Sequence, residues 1–207
     1  MTNLTKGLAS LGVAGTAAGG GILIKNQLSP NEEKLSVSKR LENEGYTILN
    51  ESVDSDWSAT LAKHKDAQVK HPKFLLTSQE LPSLKAACKD VLVKTDVSED
   101  DYKKAKKWCV KPVSIGDLIK SKKLNLLDTT KTDETGKEQW KPLADEYVNT
   151  GKGVNQITGL TLPLTSGNRE DDWKQLRTKC KELIAKDFWS EQYEDELSKS
   201  IMWCVSK

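Results

Sequence analysis

Cys88, Cys109, Cys180 and Cys204 are the residues of this sequence whose chemistry and spacing say most. They fall into two couples with 20 and 23 intervening residues, and neither couple is a Cys-x-x-Cys. A structural zinc site usually brings its ligands as close pairs, so the spacing argues against metal. On two successive antiparallel helices, each couple would instead form a disulfide within its own segment. Closing a loop of that size stabilises a fold by roughly 3 kcal/mol in the chain-entropy account. Four buried free thiols acting as small apolar groups are the alternative. If the disulfides form, the body lies in an oxidising compartment.

No other group of residues offers a recognisable reaction. There is no Gly-x-Ser-x-Gly and no His-Glu-x-x-His, and Gly151-Lys152-Gly153 lacks the Ser or Thr that follows the lysine of a phosphate loop. Residues 128–139 are acidic and Thr-rich but lack the central Gly and final Glu of a calcium loop. His64 and His71 stand among Lys63, Lys65, Lys70 and Lys73, which repel a cation, so they read as parts of a solvated helix and loop. Lys103, Lys104, Lys106 and Lys107 interleave with Tyr102 and Trp108, a pattern that suits anionic lipid or nucleic acid. Glu99, Asp100 and Asp101 lie one turn away, however, and the run reads as an ordinary charged face. The expectation is a protein without catalytic residues, cofactor or metal.

The elements that carry the cysteines are duplicated. Residues 84–111 and 176–207 share Leu, then Cys-Lys four residues on (Cys88-Lys89, Cys180-Lys181), an apolar residue at Leu92 and Ile184, Ser-Glu at Ser98 and Ser190, and Tyr102 and Tyr193. Both end in Trp-Cys-Val, at Trp108-Cys109-Val110 and Trp203-Cys204-Val205. Upstream, 41–50 pairs with 118–128, and each is followed by a Trp with a second ring seven residues on: Trp57 with His64, Trp140 with Tyr147. The copies are residues 36–111 and 113–207, joined at Lys111-Pro112.

Periodicity makes each copy mainly helical. Leu84, Ala87, Cys88, Val91 and Leu92 form one apolar stripe at helical spacing; Trp173, Leu176, Cys180, Leu183 and Ile184 form its counterpart. Tyr102, Ala105, Trp108 and Cys109 share a face, as do Tyr193, Leu197, Ile201 and Cys204. Ser98 and Ser190 are the expected N-caps, each with acidic residues in the first turn. Residues 46–49 and 124–127 read as short strands or extended connectors, and 71–82 and 149–168 as loops.

The first 25 residues stand apart. Residues 8–24 carry no charge, 17 in a row, which is the lower edge of a membrane-spanning helix, and Gly15-x-x-x-Gly19 is a spacing that lets two such helices approach. A membrane anchor over 1–25, followed by a linker over 26–35, is the leading expectation; a cleaved signal peptide and a flexible or buried soluble segment are the others. Beyond residue 25 the chain carries 30 basic and 30 acidic residues, so nothing marks a nucleic-acid partner. An apolar fraction of 36% with six Trp and four Tyr implies thinly filled cores anchored by large rings.

Trp108-Cys109, Trp203-Cys204, Cys88-Lys89 and Cys180-Lys181, with the Gly/Ala-rich N-terminal run and a length near 200 residues, resemble the paralogous uncharacterised membrane-anchored or surface proteins of hemotropic mycoplasmas, wall-less bacteria of blood. That resemblance covers the whole chain and implies a single-pass membrane protein whose repeats are extracellular; it carries over no activity. The expected architecture is therefore an N-terminal transmembrane helix followed by two tandem homologous helical modules with at most short strands. The expected role is non-enzymatic: host interaction, with a host protein as partner, or antigenic display. A membrane-tethered module for a small ligand or lipid is the alternative.

Overall fold

The computed structural model describes residues 34–162 and 171–207. Among them the regular structure is eight α-helices, one short 3₁₀ turn and two isolated β-bridges, so the described chain is mainly α. The uncharged run 8–24, on which the expected membrane anchor rests, lies outside the described residues. Among the described residues no helix is long and apolar enough to cross a membrane.

The first half holds α1 (Val37–Asn43), α2 (Asp54–Lys65), α3 (Leu81–Leu92) and α4 (Glu99–Trp108). The second holds α5 (Ile115–Ser121), α6 (Lys137–Thr150), α7 (Asp172–Ile184) and α8 (Tyr193–Trp203). The packing order is the same in both. Helix α3 touches α1, α2 and α4, and α1 also touches α4; α7 touches α5, α6 and α8, and α5 also touches α8.

The short helices α1 and α5 begin and end by the same local chemistry. Ser36 and Ser114 accept hydrogen bonds from the backbone N–H of Lys39 and Asp117 at 3.3 and 3.2 Å, satisfying donors that the first turn leaves unpaired. At the other end Tyr46 N–H donates to Leu41 O and Gly45 N–H to Glu42 O; Leu124 and Lys123 repeat this with Ile119 and Lys120. This double bond pattern needs a left-handed residue, supplied by Gly45 at φ +89° and by Lys123 at φ +59°. A Cβ on Gly45 would also come within 2.9 Å of Ser121 Oγ. Gly45→Ala should therefore lower the unfolding free energy by about 1–2 kcal/mol, whereas Lys123→Gly should raise it by about 0.5 kcal/mol. Urea unfolding of the two variants checks both signs.

After each short helix the chain runs extended and pairs with the residues that follow the Trp-Cys dipeptide. Ile48 bridges Val110 and Leu126 bridges Val205, both antiparallel. Leu49 N–H donates to Cys109 O at 3.0 Å, and Leu127 N–H to Cys204 O at 2.9 Å. The indoles of Trp57 and Trp140 donate back to Asn50 O and Asp128 O, pinning α2 and α6 to these connectors. The rings seven residues further on meet the Trp of each Trp-Cys edge-on, His64 against Trp108 at 4.7 Å and Tyr147 against Trp203 at 5.0 Å.

Two cores result, and they are not equivalent. Among the described residues, the core around Trp140, Trp173 and Trp203 is built wholly from the second half. The core around Trp57 and Trp108 draws on both halves, taking Ile115, Leu118, Ile119, Phe188, Tyr193, Leu197 and Val205 from beyond Pro112. The repeat boundary at Lys111-Pro112 is thus a boundary in sequence that the packing crosses.

One helix start differs from the expectation. Ser98 caps α4, accepting from Asp101 N–H at 3.1 Å, but α8 begins at Tyr193 behind Gln192, which makes no side-chain cap. Ser190 lies upstream in a turn, its N–H donating to Asp187 O and its carbonyl accepting from Tyr193 N–H. Burial of Phe188 and packing of Trp189 against the first-half core hold that turn in place of a cap. Counting back from Trp-Cys, Tyr102 corresponds to Leu197, and Tyr193 lies one turn earlier, so the two tyrosines are not counterparts.

Candidate functional site

The four cysteines form two disulfides. Cys88 on α3 joins Cys109 at the end of α4, and Cys180 on α7 joins Cys204 at the end of α8, with Cα–Cα distances of 5.4 and 5.6 Å. Each disulfide ties α3 to α4 or α7 to α8, while the bridge ties the end of the same α4 or α8 to the extended connector and the Trp ring meets α2 or α6.

A grouping of titratable side chains lies where the halves meet, on α4. Contacts with the second half split its lysine run in two. Lys103 and Lys104 pair within the helix, the exposed Lys103 with Glu99 at 3.6 Å and the half-buried Lys104 with Asp100 and Asp101 at 2.5 and 3.3 Å. Lys106 and Lys107 point to the seam. Lys106 Nζ pairs with Glu194 at 2.8 Å and with Glu44 at 3.4 Å, linking the second half to the first. Tyr102 OH donates to Glu44 Oε1 at 2.6 Å under the Arg40 guanidinium, 4.1 Å from the ring centroid.

Lys107 departs furthest from the charged-face reading: it is 4% exposed. Its Nζ donates to Phe188 O at 2.7 Å and sits 4.0 and 4.9 Å from the ring centroids of Phe188 and Tyr193. A buried ammonium is disfavoured unless its donors and charge are met. Burial pushes Lys107 down to about 8, with Glu194 and Asp187 opposing the shift and Lys106 adding to it. Burial also opposes the charge on Lys106, but Glu194 and Glu44 outweigh it and hold that ammonium above its ordinary range. Tyr46, Tyr102 and Tyr193 are all shifted upward, foremost by burial, and stay neutral.

His64 is buried too, at 4% exposure, rather than solvated. It occupies the place against Trp108 that Tyr147 takes against Trp203, which is why a histidine among lysines turns inward. His71 lies in the loop after α2, half-buried, its Nε2–H donating to Trp189 O at 3.2 Å. Trp189 itself stacks on Trp108, with centroids 5.2 Å apart and planes at 28°. Residues 188–189 of the second half therefore clasp the first through a stacked ring, a carbonyl on Lys107 and a carbonyl on His71. Ser121 Oγ–H donating to Gly45 O at 2.7 Å completes the seam, and Tyr193 OH donates to Val113 O at 3.0 Å within the second half.

The chemistry this arrangement performs is cohesion. Its cations, carboxylates and rings face one another across the two halves. A separate open cleft of about 390 Å³ lies between Gly159–Leu160 and α7, with Lys174 and Lys179 on its wall. Those lysines are engaged, Lys174 by Glu134 and Asp171 and Lys179 by Glu182. Among the described residues no group of three or more His, Cys, Asp or Glu is placed to hold a metal ion.

The clasp escaped sequence reasoning because Phe188 and Trp189 fall in a connection between helices. The signal was there: the second disulfide spans 24 positions against 21 in the first, and the extra length carries two aromatic residues that the shorter connection lacks. Compared with family models, curated proteins and solved structures, the chain matches none.

Proposed function

We propose that this chain is a membrane-tethered protein displayed outside the cell, in which residues 1–25 anchor, 26–35 link, and two helical units of common origin form a rigid body that works without catalysis by host contact or antigenic display. The observation that carries this reading is the pair of disulfides at matching positions, since such bonds persist where thiols are oxidised. The uncharged run 8–24 and the balanced charge of the remainder support the same topology, as does the resemblance to the paralogous surface proteins of hemotropic mycoplasmas.

Protease added to intact cells expressing the full chain should remove the body at 34–207, and a thiol-reactive polymer should label no cysteine before reduction and all four after reduction and denaturation. A body cut only after lysis, or thiols that react without reductant, would overturn the reading. A second reading, a tethered module for a small ligand or lipid, draws on the open cleft beside α7. Binding there would be expected to weaken on Gln175→Ala and Thr178→Ala.

A further inference from the structure

We propose that the 188–189 clasp is an acid-sensitive latch: when His64 and His71 become protonated, the aromatic segment releases from Trp108 and exposes Phe188 and Trp189 while the helices stay formed. The inference rests on what surrounds the two histidines. They are the only histidines of the chain, and both lie at the clasp, one against Trp108 and the other on Trp189 O.

His64 packs between α4 and the loop after α2, and neither ring nitrogen reaches a hydrogen-bond partner among the described residues. The charged group facing it is Lys73, whose repulsion adds to the cost of burial; the backbone of Phe74 opposes these. His71 faces Lys107 from α4, which with burial disfavours its protonation, and, from the second half, the carbonyls of Trp189 and Ser190 and the Glu194 carboxylate, which favour it but do not outweigh the first two. Lys107 faces Glu194, Lys106 and Asp187. The two carboxylates near the clasp are already engaged, Glu194 by Lys106 at 2.8 Å and Asp187 by Trp189 N–H at 2.8 Å. Two new positive charges would thus enter a site that holds a buried ammonium.

Burial, first, and then a neighbouring lysine hold both histidines below their ordinary range. The clasped state therefore binds fewer protons than the open one. The histidines' contribution to its stability is complete above about pH 6.5 and falls as pH drops through and below that value, a window in which Asp and Glu remain largely ionised and Lys107 is already charged.

The test uses the full chain in detergent micelles, taken from about pH 7.5 to about pH 5, with acrylamide quenching of tryptophan emission and far-UV circular dichroism. The latch requires a reversible red shift and a roughly twofold rise in quenching with unchanged ellipticity, reflecting exposure of one or two of the six indoles. The double variant His64→Phe, His71→Gln should remove the change. Hydrogen exchange on the unmodified protein gives an independent check: residues 185–192 should exchange at least about tenfold faster at the lower pH, after correction for the chemical rate, while 140–148 do not. Unchanged quenching, an equal transition in the double variant, or uniform loss of protection across both segments would each overturn the proposal.

Discussion

Replacing Trp108 by alanine is expected to lower the unfolding free energy by about 4 kcal/mol. The side chain is 0% exposed, and its indole N–H donates to Pro72 O at 2.6 Å, fixing the loop after α2. Its ring takes the edge of His64 and the face of Trp189. Alanine removes all three contacts, leaves the Pro72 carbonyl without its donor and opens a cavity that rigid helices close only in part. Urea unfolding followed by circular dichroism gives the magnitude. Trp203→Ala should cost a similar amount, since its indole donates to Asn155 O and its ring meets Tyr147. The two variants separate in another readout: Trp108→Ala should raise quenching of Trp189, and Trp203→Ala should leave it unchanged. A loss below about 1.5 kcal/mol for Trp108→Ala would mean that the seam is not built around this ring.

Removing either disulfide by a Cys88→Ser, Cys109→Ser or a Cys180→Ser, Cys204→Ser pair should cost about 3 kcal/mol. The sequence separations of 21 and 24 make the loop-closure contributions equal to within about 0.1 kcal/mol. A measured gap much larger than that would report on the surroundings. Removing both should approach the whole stability of an ordinary domain, about 5–15 kcal/mol, and leave the chain largely unfolded at 37 °C. Equilibrium urea unfolding of the three variants, each against the oxidised parent, supplies the values.

The helices were legible because their apolar residues recur at helical spacing and because Ser98 stands where a cap is needed. The pairing Cys88–Cys109 and Cys180–Cys204 was legible as one of three readings, since each couple sits at the same place in a repeated pattern. Lys107 was not legible. Four lysines in five positions read as solvent-facing, and the rings that cage Lys107 come from residues about 80 positions later, a separation that periodicity does not sense. His64 misled for a related reason, because neighbouring lysines describe the outer face of α2 while the histidine lies on the inner one. Ser190 matched Ser98 in sequence but not in role, since the aromatic pair before it is held by contacts from the other half.

The one-sided dependence of the two cores sets an order of events at synthesis. A ribosome adds about 10 residues per second, so several seconds separate the emergence of Trp108 from that of Val205. During that interval the nascent first half lacks Phe188, Tyr193 and Leu197, which seal its interior, and its own cysteines are already available to oxidise. The first core is therefore complete only once the later residues arrive, and Trp57 and Trp108 stay partly uncovered through the delay.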